Sequence, residues 1–167
     1  GRAFSFFSGC RETEIDNGQH VFLGCCSNYL EFLRFTSSPL DTVIQKKFCL
    51  EISLDGRKGK LASVPFLGKA HLLPSFVKYP HLKVNEKIKV VLLLWKISLL
   101  KISPGLGDLD NLSLEDWMIE NGQSKSTIHR LWDVFILSTL NDSSNRVSAY
   151  MGLKVIQDGI LSSPTAL

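Results

Sequence analysis

The chain has 167 residues, of which 44% are hydrophobic and 21% charged, and its formal net charge is +3. This length and composition are typical of a globular protein and exclude an intrinsically disordered one. The Lys and Arg residues are scattered, with small clusters at 46–47 and 57–60, whereas a nucleic-acid-binding protein usually concentrates them on one face. We therefore predict no nucleic-acid partner.

The four cysteines do not form a recognisable framework. Cys25 and Cys26 are adjacent, and neither a C-x-x-C pair nor a histidine pair at zinc-finger spacing occurs in the sequence. The pattern therefore predicts no metal site. It predicts free thiols that are buried, in an intracellular, reducing compartment.

The first third of the chain predicts strands and turns. A short apolar run covers residues 3–8, and the runs 12–16 and 20–23 flank Asn17-Gly18. An Asn-Gly pair between two such runs is typical of a tight β-hairpin turn. Helical spacing of apolar side chains then predicts a short helix over residues 28–35.

A second hairpin and a series of helices are predicted next. Apolar residues alternate toward the end of 43–54, a turn is predicted at 55–57, and a partner strand over 60–64. From Gly68 onward the spacing indicates helices. We predict them over residues 71–79, 85–103 and 124–140, from Ser113 to a left-handed cap at Gly122, and over 147–161, with loops at 104–108 and 141–145.

Two helices have informative patterns. Residues 90–95 are apolar on every side, with Lys89, Lys96 and Lys101 interrupting the run. This favours a buried helix, and the alternative is a helix that contacts lipid or an apolar substrate while its lysines reach toward water. The helix over 124–140 has one clearly apolar face that includes Trp132 and Phe135.

The chain also has features of an internal piece of a larger protein. It opens on Gly1-Arg2 without an initiator Met, and residues 165–167 do not clearly stop the helical pattern. The composition changes near residue 45, from strands and turns to a hairpin followed by helices. We therefore expect parts of two domains, over residues 1–45 and 46–167.

Several motifs in this order resemble one enzyme family. Residues 1–3 followed by a Ser-containing strand resemble the end of the R-x-G-G-R-x-x-S region of flavin amine oxidases and carotenoid desaturases. Residues 14–25, which read EIDNGQHVFLGC, resemble their glycine-containing strand beside the flavin ring. Further similarity lies in the helical segments 112–124, 131–133, 139–142 and 147–149. The Asp-Asn-Gly-Gln-His form and the Thr-Leu-Asn element resemble most closely the squalene-associated subgroup, the hydroxysqualene dehydroxylases, with zeta-carotene and phytoene desaturases as cousins.

The resemblance implies an α+β fragment of a two-domain, FAD-dependent, amine-oxidase-like fold, in which short strands precede a helical substrate domain with a β-hairpin. Residues 1–45 would be part of the FAD-binding domain, without its G-x-G-x-x-G loop, and residues 46–167 part of the substrate-binding domain. Because that loop cradles the cofactor's phosphates, we expect this chain alone neither to hold FAD nor to be active.

The resemblance assigns cofactor-binding roles to Gly1, Arg2, Gly18, Gln19 and His20. A glycine lets the backbone approach a flat ring without a Cβ clash, and an arginine can make a charge-assisted contact with the cofactor. Gln19 and His20 can hydrogen-bond flavin heteroatoms or support the loop. His20 is also a candidate for general acid or base catalysis, the alternative being an ordinary hydrogen-bonded histidine.

The resemblance assigns substrate-binding roles to apolar side chains. Phe22 and Leu23 would line a dry cavity for a hydrocarbon, and Trp132 and Phe135 would form a wall of it in addition to their place in the helical core. The implied activity is FAD-dependent redox chemistry on a long isoprenoid, either reductive loss of a hydroxyl from hydroxysqualene or desaturation of a carotene-like chain.

A different class of function stays open. The chain can instead be a truncated, non-catalytic product whose apolar helices bind a membrane or a partner, and peripheral membrane contact is an expectation under either hypothesis. By analogy with the carotenoid desaturases, the resemblance implies a plastid location.

Overall fold

The structure is a computed structural model, and it describes residues 5–9, 13–16, 24, 26–36, 47–103 and 107–162. The first described elements are strands β1 (Ser5–Ser8) and β2 (Thr13–Asp16), which pair antiparallel with Ser5 opposite Asp16. The turn and the second strand of the hairpin predicted about Asn17-Gly18, over residues 17–23, lie outside the described residues. The predicted short helix is confirmed as α1 (Ser27–Phe35).

The second hairpin consists of strands β3 (Cys49–Leu54) and β4 (Arg57–Ala62). Asp55 and Gly56 have φ of +51° and +73°, which is the left-handed conformation that a two-residue type I′ turn requires at both positions. The predicted turn was one residue too long, because Arg57 already pairs with Leu54. The predicted strand over 43–54 is wrong at 47–48, which precede the ladder.

The described residues after the second hairpin are mainly helical, as predicted from Gly68 onward. A 3₁₀ segment (Pro65–Ala70) precedes the α-helices. These are α2 (Leu73–Val77), α3 (Val84–Leu99), α4 (Gly107–Asp110), α5 (Leu114–Glu120), α6 (Lys125–Thr127), α7 (Asp133–Leu140) and α8 (Ala149–Val155). Gly107 and Asp108, which were predicted as loop, begin α4. The helix α3 ends before the predicted residue 103, because Leu100 has extended backbone, and α8 begins after the predicted residue 147, because Ser148 has extended backbone.

Both ends of α5 follow the sequence signals. The Ser113 hydroxyl accepts a hydrogen bond from the Asp116 backbone N–H at 3.0 Å, which satisfies an amide that the first helical turn leaves unpaired. At the other end Gly122 has φ +82°. Its N–H donates to the Ile119 carbonyl, and that of Gln123 donates to the Met118 carbonyl. This pair of bonds is a Schellman cap, for which glycine carries no Cβ penalty.

The amphipathic helix predicted over 124–140 is one continuous helical run with an unpredicted feature. Ser124 caps α6, and the π-helical segment Ile128–Trp132 connects α6 to α7. A second π-helical segment, Ile156–Ile160, follows α8 directly. Each has a hydrogen bond between residues five apart, such as Leu161 N–H to the Ile156 carbonyl, so the side chains rotate relative to a regular α-helix.

The core lies between the β3–β4 hairpin and the helices. It contains Ile52, Leu61, Phe76, Val90, Leu93, Ile97, Leu114, Met118, Ile128, Trp132, Ile136, Leu153 and Ile156 among others. The predicted apolar face of the 124–140 helix is confirmed, since Ile128, Leu131 and Trp132 are buried and Phe135 packs against the core.

Two burial predictions are wrong. The helix α3 is not buried on all sides, because only Val90, Leu93 and Ile97 are buried while the opposite side exposes large apolar residues. Cys26 is exposed and Cys49 is half-buried, so these free thiols are not the core residues that were expected. Within the described ranges, no helix is both long enough and apolar enough to cross a membrane.

Tyr79 joins the hairpin to the helices. Its ring is fully buried and meets the His81 ring edge-on at 4.9 Å, and a Cβ on Gly59 of β4 would lie only 2.9 Å from it. Its hydroxyl donates to the Arg130 carbonyl at 2.7 Å. Burial raises the pKa of Tyr79 from 10.0 to about 12, and the positive charge of Arg130 opposes that change.

This raised pKa predicts a loss of stability in base. Between pH 10 and about 12 the unfolded chain releases the Tyr79 proton while the folded chain keeps it, so the free energy of unfolding falls as the pH rises through that window. We expect the loss to reach up to about 2–3 kcal/mol. Urea denaturation of the wild type and Tyr79→Phe across this window measures it. The free energies of unfolding of the two proteins should converge as the pH rises. If they stayed a constant distance apart, the raised pKa would not belong to Tyr79.

Candidate functional site

A cavity of about 290 Å³ lies between α2, α3 and the two π-helical segments. Its lining is almost wholly apolar. The wall residues are Leu61, Leu72, Leu73, Phe76, Val90, Val91, Leu94, Trp95, Leu131, Trp132, Phe135, Ile160 and Leu161, with Lys69, Ala70 and Ser98 also in contact. The exposed members of this set, such as Lys69, Leu73 and Trp95, mark the mouth of the cavity.

Hydrogen bonds hold α2 against its neighbours at this cavity. The Ser75 hydroxyl accepts from the Ala62 N–H at 2.9 Å and is 3.0 Å from the Ala62 carbonyl, which fixes α2 to the end of β4. The Lys87 ammonium donates to the Val77 carbonyl at 2.6 Å and so joins α2 to α3. These contacts place Phe76 on the cavity wall opposite the α3 side chains.

The π-helical segments supply the deeper wall. Leu131 and Trp132 come from the first segment, and Ile160 from the second. Such segments are rare and occur often at functional sites, because they re-aim side chains without breaking the helix. Gln157, in the second segment, donates to the Ile97 and Leu100 carbonyls at 2.7 and 2.8 Å, which holds this segment against the end of α3.

Two buried polar side chains support the wall from behind. The Trp132 indole N–H donates to the Gln123 side-chain oxygen at 3.4 Å, and the Gln123 amide donates to the Lys89 carbonyl at 3.1 Å. His71 is fully buried, and its Nε2 lies 3.2 Å from the Ile160 carbonyl. A carbonyl only accepts, so His71 carries its proton on Nε2 there. These bonds orient Trp132 and Ile160.

The cavity suits the hydrocarbon part of a ligand. Lys69 and Ser98 are the polar side chains of its lining, and both are exposed. The Ser98 hydroxyl already donates a hydrogen bond to the Trp95 carbonyl. The described lining therefore does not fit the diphosphate of a dinucleotide, which needs converging amides or cations. No group of three His, Cys, Asp or Glu side chains in the described ranges could hold a metal ion.

The structure brings together two of the predicted site residues. Trp132 and Phe135 both line the cavity, where Phe135 also stacks on Phe48 with the ring centroids 6.5 Å apart. The other predictions lie outside the described residues. These are the cofactor-binding Gly1, Arg2, Gly18, Gln19 and His20 and the substrate-binding Phe22 and Leu23.

Sequence reasoning missed the wall that α2 and α3 contribute. Phe76, Val91, Leu94 and Trp95 line the cavity, and none of them was singled out as a site residue. The sequence signal that could have found them is the run of six apolar residues at 90–95. A helix with one buried face needs apolar residues on that face only, so the additional apolar residues indicate a second apolar contact.

Comparisons with known proteins agree with the fold and place the chain in a family. Residues 1–161 match the family model described as flavin containing amine oxidoreductase. A zeta-carotene desaturase of Solanum lycopersicum is 26% identical over 131 residues, which are 74% of this chain and 22% of that protein. The Zea mays zeta-carotene desaturase is 27% identical over 127 residues, 71% of this chain and 22% of the relative. The chain thus spans about a fifth of these relatives' length.

A solved structure of a putrescine oxidase, bound to putrescine, has a similar fold. Its TM-score is 0.55 at 13% sequence identity, and the match covers 95% of this chain and 34% of that one. This likeness agrees with the predicted α+β fragment of an amine-oxidase-like fold. Because the family model covers nearly the whole sequence, the family-level resemblance is confirmed, and the chain belongs to the flavin containing amine oxidoreductase family.

Proposed function

We propose that this chain is part of an FAD-dependent oxidoreductase that acts on a long isoprenoid. The observation that carries the proposal is the apolar cavity beside Trp132 and Phe135, which would accept hydrocarbon and has its polar lining residues exposed. The family membership supports flavin chemistry. When bound, the flavin would supply the redox step, and the apolar side chains would hold the isoprenoid and exclude water.

Desaturation of a carotene-type chain is the reaction we favour. The curated relatives described above are zeta-carotene desaturases. The Asp16–His20 and Thr139–Asn141 sequence forms support the alternative within the same class, removal of the hydroxyl from hydroxysqualene. At about 290 Å³ the cavity is at the lower end of ligand-site volumes, so it would take one stretch of either chain.

The domain assignment is part of the same proposal. Residues 1–45 would belong to the FAD-binding domain and 46–167 to the substrate-binding domain, with Gly1, Arg2, Gly18, Gln19 and His20 near the flavin. Phe22 and Leu23 would complete the hydrocarbon wall. The matched relatives are described as chloroplastic or chromoplastic, which supports a plastid location.

Phe135→Ala tests the substrate wall. The variant is made in the longer protein that carries both domains and is supplied with FAD. The change should lower kcat/KM for the isoprenoid substrate roughly tenfold, because it removes a contact between the cavity wall and the isoprenoid. Turnover of zeta-carotene and of hydroxysqualene, each extracted and separated by chromatography, provides the measurement and also decides between the two reactions.

Leu137→Ala is the matched control. Leu137 lies on the same helix, α7, and is exposed, and it is not among the cavity-lining residues. Its kcat/KM should stay within twofold of the wild type (about 0.4 kcal/mol). If the folded Phe135→Ala protein turned over both isoprenoids at the wild-type rate, Phe135 would have no place in the substrate wall. If the protein bound FAD but converted neither isoprenoid, the proposed substrate class would be wrong.

A further inference from the structure

The cavity beside α2 and α3 has a buried inner part and an exposed mouth. Six of its apolar lining residues are buried, and these are Leu61, Phe76, Val90, Leu131, Trp132 and Ile160. The exposed lining residues Leu73, Val91 and Trp95 lie at the mouth. An elongated ligand would therefore place an apolar end in the inner part and leave its other end at the mouth, in contact with water.

Lys69 places a positive charge at this mouth. It lines the cavity and is exposed, and no Asp or Glu is among the described lining residues. Within the described part of the chain its ammonium group takes part in no salt bridge. A neutral hydrocarbon offers an ammonium group nothing to bind, so the proposed isoprenoid substrate leaves this charge without a role.

Lys69 differs in this respect from two lysines of the neighbouring helix α3. The Lys87 ammonium donates to the Val77 carbonyl at 2.6 Å, and the Lys96 ammonium donates to the Asn121 side-chain oxygen. Neither lysine lines the cavity. Their contacts join α3 to α2 and to the end of α5, which accounts for both of them. No contact of this kind among the described residues accounts for Lys69.

The polar surroundings of Lys69 suit a single negative charge. The other polar side chain of the described lining is Ser98, whose hydroxyl already donates to the Trp95 carbonyl at 2.7 Å. A hydroxyl has no second proton to donate. A carboxylate has one negative charge and matches one ammonium group, whereas a diphosphate needs several converging cations or amides.

The volume of the cavity limits the length of the apolar part of a ligand. An apolar cavity of about 150 Å³ takes up benzene. A cavity of about 290 Å³ therefore has room for roughly twice as many carbon atoms as benzene has. This corresponds to an alkyl chain of medium length.

We propose that this cavity binds a medium-chain carboxylate, with its alkyl chain among the buried lining residues and its carboxylate paired with Lys69 at the mouth. The apolar wall would provide most of the affinity, because the chain is removed from water. The ion pair with Lys69 would select the head group and fix which end of the ligand stays outside.

This binding has a consequence for the reaction, and the consequence rests on the proposed function. Trp132 and Phe135, which we assign to the wall for the isoprenoid, line the same cavity. A carboxylate and an isoprenoid would therefore exclude each other. In the longer protein supplied with FAD, a medium-chain carboxylate would be a competitive inhibitor.

Isothermal titration calorimetry of the chain with dodecanoate tests the binding and requires neither flavin nor isoprenoid. Below the concentration at which dodecanoate forms micelles, we expect saturable binding that weakens in high salt, because the ion pair is exposed. Dodecanol has the same chain without the charge and should bind roughly fivefold more weakly, which is the effect of an exposed ion pair. Geranyl diphosphate should also bind more weakly than dodecanoate.

Lys69→Met is the decisive variant. Methionine keeps an apolar stem and removes the charge, and because Lys69 is exposed the fold should persist. The affinity for dodecanoate should fall roughly fivefold, while that for dodecanol should stay within about twofold. Lys58→Met is the matched control, since it removes the charge of an exposed lysine that does not line this cavity, and it should bind as the wild type does. Val91→Phe narrows the mouth and should weaken the binding of both ligands.

Several results would overturn the proposal. If the folded Lys69→Met protein bound dodecanoate as the wild type does, or if dodecanol bound the wild type as tightly as dodecanoate, Lys69 would not select the head group. Tighter binding of geranyl diphosphate than of dodecanoate would contradict the carboxylate assignment. Unchanged binding by the folded Val91→Phe protein would place the ligand outside this cavity. Because calorimetry involves no catalysis, a failure here leaves the proposed oxidoreductase activity untouched.

Discussion

Replacing Trp132 with alanine should lower the free energy of unfolding by about 3–5 kcal/mol. Trp132 is almost completely buried and lines the existing cavity, so truncation enlarges a void that the surrounding helices cannot easily close. The change also leaves the side-chain oxygen of buried Gln123 without its indole donor, which adds the cost of an unpaired polar atom. Urea denaturation followed by far-UV circular dichroism measures the loss.

Trp95→Ala is the matched control for this prediction. It removes the same side chain from an exposed position on α3, and we expect a change under about 1 kcal/mol. If Trp132→Ala cost no more than Trp95→Ala, the π-helical segment around Trp132 would not be packed as the structure has it.

Gly152→Val should destabilise the fold by about 3 kcal/mol or more, through overpacking. A Cβ at Gly152 would lie 2.3 Å from Cδ2 of Leu114 and 2.9 Å from its Cγ, far inside the separation at which carbon atoms attract. Leu114 is fully buried where α5 packs on α8, so it has no free space to move into. The shift of the urea midpoint relative to the wild type measures the effect.

Two further variants separate this clash from the cost of a β-branched residue in a helix. Met151→Val changes the exposed neighbour in α8 and should cost less than about 1 kcal/mol. Leu114→Ala makes room opposite Gly152, so the double variant should lose less stability than the sum of its single changes. Strict additivity would mean that the two positions do not touch.

Local signals in the sequence were sufficient to locate the Asp55-Gly56 turn, the two caps of α5 and the apolar face of the 124–140 helix. The Asp55-Gly56 turn, the Ser113 cap and the Gly122 helix end each depend on residues within a few positions of one another, and those short-range preferences persist in the fold. The π-helical segments were not predictable. The periodic spacing of apolar residues predicts a helix, but it does not show where the backbone hydrogen bonds join residues five apart instead of four.

The candidate site was predictable only in part. Trp132 and Phe135 were identified from one apolar helix face and both line the cavity. Phe76 and Trp95 were missed because they come from α2 and α3, and only long-range packing brings these elements to the same wall. The bond between Lys87 and the Val77 carbonyl, which joins those two helices, has no signature in the sequence.

By itself the sequence determined the order of the elements, the apolar face of the 124–140 helix and the family resemblance, since each of these is encoded in local spacing or in ordered motifs. Only the tertiary structure decided which side of α3 is buried and where the cavity opens. The physical reason is that α3 carries large apolar residues on two opposite sides, so its own residues do not distinguish a core face from an exposed one. Packing against the second π-helical segment and the rest of the core makes that choice and leaves the opposite side of α3 at the surface.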